Sequence, residues 1–398
     1  RVNIIGNSIT DEAVIRSELL IDEGDPFNKT KLEQSIAKLK ARNIFGEIKN
    51  KIIDGSKKDQ KILEIEVEEK PTGEISVGAG IGTNGASFAF NIKENNWLGK
   101  GLSISTNLDV SAESLSGQLF VNNPNYNFSG NSLYYQVSNT INDKATSGFK
   151  NNIISTGIGT KFEQYRNVYI SSGLNFSHDK LEVNSSASPA LKKQKGTFTD
   201  LAFDYGVSLD KRDKVFSPTD GYISSFSGAI PIYADAGSIS NTYSFSKYQG
   251  ITENAVGAFK LQASAVNGLS DKDVRLSKRL FTSNIRLRGF ESGKIGPKDG
   301  KDYIGGNYSI TSNFELNLPN LLPESTKTDV GLFLDFGNLW GVDYSSSLDD
   351  SNKIRSSAGA NVSWVSPAGP MTFVLSQNLS KASTDVTEGF NFRLGTTF

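Results

Sequence analysis

The stretch Leu201-Ala202-Phe203-Asp204-Tyr205-Gly206-Val207-Ser208-Leu209-Asp210 alternates between large apolar residues and small or polar ones. Side chains along a β-strand point alternately to its two faces, so this period of two predicts a strand with one apolar and one polar face. The same period begins at Glu74 and recurs in about sixteen segments up to Phe398, with polar turns between them. Several segments have the roughly 9–11 residues that a tilted strand needs to cross a bilayer.

The polar faces of these segments carry Ser, Asn, Gly, Thr and single charges. A large soluble β protein, which is the alternative, would show many Lys and Glu residues on its outer face. The observed composition suits a wet lumen, with the apolar face toward lipid. Aromatic residues near strand ends fit an interfacial girdle, for example Trp97, Tyr134, Tyr135, Tyr222, Trp340 and Trp364. The sequence therefore predicts a mainly β protein, an antiparallel transmembrane β-barrel.

The overall composition is compatible with a membrane β-barrel and argues against several other classes of protein. The 398 residues include 42 basic and 43 acidic residues, so no basic excess points to nucleic acid. Cysteine is absent, which excludes a disulfide framework and a thiolate metal site. No apolar run of about 18 residues predicts a membrane-spanning helix. The chain opens on a strand-like segment, residues 1–5, without a signal peptide, so we expect a processed or truncated chain.

Residues 1–70 differ from the rest, with many Lys, Glu and Ile residues and few aromatic ones. Thr30-Lys31-Leu32-Glu33 matches a capping box, and apolar residues at helical spacing follow it. We predict a small β-α-α-β-β domain with a strand at 1–5, a helix at 11–20, a helix from Thr30, and strands near 47–53 and 62–69. Lys70-Pro71-Thr72-Gly73 then marks the boundary between a domain of residues 1–70 and a barrel of residues 71–398.

A long irregular segment, at about residues 268–305, interrupts the strands and carries the cationic tip Arg286-Leu287-Arg288-Gly289-Phe290. Long loops in compact β proteins are uncommon and usually functional. In the two strands that follow, alternation places Glu315 and Asp335 on the inward face. Because a guanidinium binds carboxylates bidentately, we predict that the loop folds into the lumen and that Arg288 docks near both carboxylates. The alternative is that all three are ordinary solvated charges.

Two sequence features suggest dinucleotide binding or a histidine-based site, but the residues around them do not support either function. Gly80-Ile81-Gly82-Thr83-Asn84-Gly85 matches a dinucleotide-binding fingerprint, but a predicted strand follows it where that motif needs a helix. His178 is the only histidine, which excludes a multi-histidine metal site and leaves a hydrolase triad little support. We therefore expect no enzymatic activity, no metal and no cofactor.

Several motifs together resemble the BamA family, the central subunits of the assembly machinery for β-barrel proteins of the Gram-negative outer membrane. The resemblance covers nearly the whole chain. It implies a sixteen-stranded barrel in the outer membrane, with residues 1–70 as the last periplasmic POTRA domain before it. The matching residues are Asn95-Asn96-Trp97-Leu98-Gly99, Ser217-Pro218-Thr219-Asp220-Gly221, Leu287-Arg288-Gly289-Phe290, Ile295-Gly296-Pro297, Leu334-Asp335-Phe336-Gly337-Asn338-Leu339-Trp340, Ser366-Pro367-Ala368-Gly369-Pro370 and Gly389-Phe390-Asn391-Phe392-Arg393-Leu394-Gly395.

The resemblance also implies site residues and partners. It assigns Arg288, Gly289 and Phe290, with Glu315 and Asp335, to a structural lock inside the barrel. Arg16 and Glu23 fall where this family contacts its lipoprotein partner BamD, although residues 17–22 differ from the family pattern; the alternative is two exposed charges. The implied partners are accessory lipoproteins, unfolded outer-membrane proteins and outer-membrane lipid, with no nucleic acid.

A mechanism follows from the way a barrel closes. The first and last strands must pair, and glycine weakens such a seam and lets it bend. An open seam exposes a backbone edge that templates an incoming strand. We expect an outer-membrane assembly factor that inserts β-barrel proteins through this seam, with the edge at residues 76–82 as the template. The alternatives are a two-partner-type polypeptide secretion pore, the sister assembly factor TamA, and a passive porin. The predicted seam residues are Ser76, Gly78, Gly80, Gly82, Phe390, Phe392, Gly395 and Phe398.

Overall fold

The computed structural model describes residues 1–57, 60–127, 129–270, 272–319, 321–348, 350–366 and 369–395. Within these residues a small three-stranded sheet with two helices precedes a closed barrel of sixteen strands. The prediction of a mainly β chain, with a small β-α-α-β-β domain followed by a sixteen-stranded antiparallel barrel, is confirmed. No helix in the described part of the chain is long and apolar enough to cross a membrane.

The N-terminal domain packs its helices on one face of its sheet. Strand β3 lies between β1, to which it is parallel, and β2, to which it is antiparallel. Leu32, Ile36 and Leu39 of the second helix are buried against the sheet. The elements are β1 (Val2–Ile5), α1 (Glu12–Arg16), α2 (Lys29–Ala41), β2 (Phe45–Asp54) and β3 (Lys61–Glu69).

Both predicted helices of this domain differ from the structure at their ends. Asn28 caps α2 by accepting a hydrogen bond from the backbone N of Lys31 at 3.0 Å, so the capping box predicted at Thr30 is wrong. Asn is as good an N-cap as Ser or Thr, and here it lies two residues earlier in the chain. Helix α1 spans five residues where ten were predicted, and backbone turns continue from Ser17 to Leu19.

The barrel is an antiparallel meander in which each strand pairs with its neighbours in the chain and the last strand pairs with the first. Its strands are β4 (Gly73–Gly82), β5 (Gly85–Trp97), β6 (Leu102–Ser111), β7 (Ser114–Asn123), β8 (Ser132–Lys144), β9 (Phe149–Tyr165), β10 (Val168–Val183), β11 (Gly196–Asp210), β12 (Gly221–Ala234), β13 (Ser238–Thr252), β14 (Ala255–Gly268), β17 (Tyr308–Leu318), β18 (Thr328–Trp340), β19 (Arg355–Ser366), β20 (Gly369–Ser380) and β21 (Phe390–Gly395). A short helix, α3 (Pro189–Lys192), lies between β10 and β11, and the long loop holds a small hairpin, β15 (Lys298–Asp299) with β16 (Asp302–Tyr303).

The barrel wall reverses the polarity of a soluble core. On β18 Leu332 points outward and is 48% exposed, whereas Asp335 points inward and is fully buried. The register places Asn313 of β17 and Ser357 of β19 on either side of Asp335, and both are buried polar residues. Apolar side chains outside and polar ones inside are the arrangement of a barrel whose solvent is lipid.

The long loop between β14 and β17 folds back into the lumen. A backbone bridge between Leu280 and Gly306 closes its base. Beyond this bridge Leu287, Phe290 and Ile295 bury themselves against Leu339 of β18. The loop therefore brings its own small apolar core into a polar lumen, which fixes the position of the cationic tip.

Candidate functional site

Arg288 binds two inward carboxylates at once, and we name Arg288, Glu315 and Asp335 the loop lock. Its Nε and Nη2 atoms donate to the two carboxylate oxygens of Asp335 at 2.7 Å each. Its Nη2 also lies 3.0 Å from Oε1 of Glu315, and its backbone N donates to Asp335 at 3.1 Å. The Arg288 side chain is 11% exposed. A bidentate, charge-assisted pair of this kind fixes both distance and orientation.

The surroundings of the loop lock tie it to four strands. Lys260 of β14 shares Glu315 at 2.6 Å, so this carboxylate lies between two cations. Asn313 of β17 donates to Oδ1 of Asp335 at 2.8 Å, and Ser357 of β19 donates to the carbonyl of Arg288. The Phe333 ring of β18 lies 3.8 Å from the guanidinium carbon, a cation–π contact. Sequence parity places these groups on the inward face, and the structure brings them together.

Gly289 and Phe290 complete the predicted motif for different reasons. Gly289 has φ of +88°, and a Cβ there would lie 3.0 Å from Cβ of Ser357, so only glycine suits this close approach to the wall. Phe290 is 1% exposed and anchors the apolar core of the loop. The aromatic anchor thus positions the loop, and the glycine lets its backbone meet the wall.

A second arginine cluster, which the sequence analysis missed, joins the loop between β18 and β19 to the loop between β20 and β21. Arg355 is fully buried at the start of β19, and its Nε and Nη2 atoms pair bidentately with Asp385 at 2.9 and 2.8 Å. The same guanidinium contacts Asp350 and donates to Oδ1 of Asn338 at 2.7 Å. The alternation that placed Asp335 inward also places Arg355 inward, so this signal was present in the sequence.

The barrel closes through a short seam, the pairing of β21 with β4. Within the described residues it pairs Arg393 with Gly82, Leu394 with Ile81, and Gly395 with Gly80. By contrast β9 and β10 pair over sixteen residues. Among the described residues, three pairs form this contact, fewer than between any other two neighbouring strands of the wall.

The predicted seam residues fall into four groups. Gly80, Gly82 and Gly395 lie in the paired part, whereas Ser76 and Gly78 lie on β4 before it. Phe390 and Phe392 stack along β21 with ring centroids 6.2 Å apart. Gly395 has φ of +110°, and a Cβ there would lie 2.0 Å from the Ala79 carbonyl oxygen. Phe398 lies outside the described residues.

The predicted partner residues Arg16 and Glu23 make contacts within the N-terminal domain. Arg16 donates to the carbonyl of Val2 at 3.0 Å, and Glu23 accepts from the backbone N of Val2 at 3.0 Å. The two charged groups lie 3.8 Å apart, and their side chains are 40% and 52% exposed. They hold β1 and still present about half of their surface to solvent.

The structure also shows the surroundings of the glycine-rich motif and of His178, and it bears on metal binding. Strand β5 begins at Gly85, directly after the glycine-rich turn, so no helix follows that motif. His178 lies on β10, and its ring nitrogen is 3.2 Å from Oγ1 of Thr199. Among the residues that the structure describes, no group of three or more His, Cys, Asp or Glu side chains could hold a metal ion.

The closed barrel, its inward lock and the small domain before it define a two-domain β-barrel protein. The domain described as the Omp85 superfamily domain matches residues 96–398, and the POTRA domain described as a surface antigen variable number repeat matches residues 1–70. The chain belongs to the Omp85 superfamily.

Curated relatives agree with this assignment and confirm the resemblance to BamA. Outer membrane protein assembly factor BamA of Neorickettsia risticii is 27% identical over the whole chain, which covers 55% of that protein. BamA of Neisseria meningitidis serogroup B is 26% identical over the whole chain, which covers 56% of it. The chain thus spans about half the length of these curated relatives.

Two solved structures share the fold over the whole chain. BamA from Haemophilus ducreyi lacking POTRA domains 1–3 superposes with a TM-score of 0.89 at 23% identity, and the chain covers 84% of it. CdiB from Acinetobacter baumannii superposes with a TM-score of 0.61 at 13% identity, and the chain covers 74% of it. At these sequence identities the two structures support a shared fold only.

Proposed function

We propose that this protein is an outer-membrane assembly factor that inserts β-barrel proteins through its seam, without enzymatic chemistry. The observation that carries the proposal is the short pairing of β21 with β4, limited in the described residues to Gly80–Gly82 against Arg393–Gly395. The curated relatives that match the whole chain are named as assembly factors, which favours this function over a secretion pore or a passive porin.

The first strand offers the template. No described strand pairs with the seam side of β4 between Gly73 and Ala79. Once the seam is open, the edge of β4 presents unpaired N–H and C=O groups, and an incoming strand adds to it by β-augmentation. In the described part of the chain, residues 80–82 of the edge predicted at 76–82 are paired with β21, and opening of the seam would free them for an incoming strand. The free energy for insertion comes from folding of the incoming protein.

In this proposal the loop lock braces the barrel while the seam opens. The lock joins the long loop to strands on the side of the wall that carries β14 to β19. Those strands then keep their shape when β21 leaves β4. The lock is therefore a structural support for assembly.

The proposed setting follows the relatives' names and the fold. The POTRA domain lies in the periplasm, where Arg16 and Glu23 contact an accessory lipoprotein of the BamD kind. The exposed halves of both side chains leave room for such a partner. Unfolded outer-membrane proteins reach the seam from the same side, and outer-membrane lipid surrounds the barrel.

A disulfide across the seam, which a reductant can break, tests the proposal. Because the sequence contains no cysteine, only the introduced pair can form the bond. Ile81 and Leu394 lie directly opposite each other. Cβ atoms of such pairs lie about 4.5–5.5 Å apart, at the upper edge of the spacing that a disulfide spans, so a small shift of the two strands lets the bond form. In liposomes, we expect the oxidised double variant I81C/L394C to lose at least about tenfold of its acceleration of barrel-protein folding, and a reductant to restore it. Each single-cysteine variant is the matched control. Undiminished acceleration with the seam oxidised contradicts the proposal.

A further inference from the structure

The segment just before β21 forms a backbone ladder with the tip of the long loop. The N–H of Glu388 donates to the carbonyl of Gly289 at 2.9 Å. The N–H of Glu291 donates to Val386 at 3.0 Å, and the N–H of Val386 donates to Lys294 at 3.1 Å. The residue next to Arg288 in the loop lock is therefore hydrogen-bonded to the residue two positions before the last strand.

The side chain of Glu388 extends this connection to both strands of the seam. One carboxylate oxygen accepts from Nδ2 of Asn284, on the long loop, and from Nδ2 of Asn391, on β21, at 3.1 Å each. Asn391 also donates to Oγ1 of Thr83, and Asn284 exchanges amide hydrogen bonds with Asn84 at 3.3 Å. Thr83 and Asn84 directly follow β4.

This cluster lies at the end of the seam where the pairing of β4 with β21 stops. The paired residues end at Gly82, and the only described backbone bond beyond them joins the N–H of Thr83 to the carbonyl of Phe392 at 3.2 Å. A lumen cavity of about 480 Å³ borders the group, lined by Arg288, Glu388 and Arg393 among others. The cavity gives the Glu388 side chain space to leave the cluster.

We propose that Glu388 is a positioning residue that couples the long lumen loop to the end of the seam farthest from the POTRA domain. With the loop locked, the carboxylate holds Asn391 and, through Asn284, the turn after β4. When the Glu388 side chain turns away into the cavity, these bonds are lost together and the seam is free to open from that end, while Arg288 stays in the loop lock. The proposal rests on the seam function proposed above and names a residue that regulates it.

Amide hydrogen exchange of the nanodisc-embedded protein tests this coupling without any substrate. We expect E388A to speed exchange at the Thr83 amide and its seam neighbours about tenfold, because a charged acceptor of two hydrogen bonds is lost. E388Q keeps a neutral acceptor oxygen and gives a smaller rise. Exchange between β9 and β10 stays at the wild-type rate.

Two further variants separate coupling from simple stabilisation. N284A lies on the loop, outside the barrel wall, and also speeds seam exchange if loop and seam are coupled. E291A removes a carboxylate that pairs with Lys294 in the same loop, and leaves seam exchange unchanged. Unchanged seam exchange in E388A or N284A overturns the proposal, as does a rise spread over the whole barrel.

The same variants keep this proposal distinguishable from the insertion function. If E388A frees the seam and the folding of barrel proteins in liposomes is unaffected, the coupling stands and insertion through the seam is contradicted. If E388A leaves the seam unchanged while the I81C/L394C disulfide stops insertion, the seam function stands and the coupling is contradicted.

Discussion

The loop lock and the seam lie in the same wall and are built on opposite principles. At the lock, Arg288 makes bidentate and cation–π contacts in a place where Asp335 has no exposed surface. At the seam, three described residue pairs of mostly small or flexible side chains close the barrel. The strands around the loop are thus cross-braced by side chains, whereas the described part of the seam relies on backbone pairing. In the proposed function, the seam is therefore the interface that opens.

The largest expected effect comes from breaking the lock. We expect R288A to lower the free energy of unfolding by about 3–5 kcal/mol, because the buried side chain of Asp335 loses its bidentate partner. Equilibrium urea unfolding followed by tryptophan fluorescence measures the change. R286A is the control, since Arg286 has the same charge two residues away but is exposed. Equal effects of the two variants would mean that the lock contributes no more than a surface charge.

A smaller effect is expected from the seam itself. A Cβ at residue 395 would lie 2.0 Å from the Ala79 carbonyl oxygen, and φ of +110° disfavours any L side chain. We expect G395A to destabilise the pairing of β21 with β4 by about 1–3 kcal/mol. Amide exchange at Gly80–Gly82 reports the change, while the lock stays protected.

Gly117 provides the matched control for this substitution. It also lies on a barrel strand, β7, and a Cβ there would meet no atom within 4 Å. G117A is therefore expected to leave exchange unchanged. A faster seam in both variants would point to a general weakening of the barrel, in place of a local clash.

Strand alternation predicted the barrel and the lock because both depend on which face a side chain occupies. Glu315 and Asp335 could be placed inward from their apolar neighbours alone. Glu388 and Asp385 could not, since they lie in an irregular segment whose partners are set by the long loop folding over them. The register of the seam was also out of reach, because glycine content indicates a weak strand without indicating which residues pair.

The first strand of the seam has another anchor, at its POTRA end, and here we expect the smallest effect. Glu69 ends β3, shortly before β4, and its carboxylate accepts from the backbone N of Thr10 at 2.6 Å and from Oγ of Ser8 at 2.7 Å. Thr10 in turn accepts from Nδ2 of Asn96, in the barrel, at 2.8 Å. Burial alone would raise the pKa of Glu69, but these hydrogen bonds lower it from 4.5 to about 2.

A carboxylate whose pKa is lowered by folding stabilises the folded state at pH values above its ordinary pKa of 4.5. This stabilisation is lost as the pH falls from 4.5 to about 2. We expect the wild type to lose about 1–2 kcal/mol of docking between the POTRA domain and the barrel over this window, and E69Q to lack this dependence. Amide exchange at Ile9 and Thr10 measures it, with E68Q, at an exposed neighbour, as the control. If wild type and E69Q follow the same pH curve, Glu69 does not anchor the POTRA end of β4, and the pairing of β4 with β5 holds that end without it.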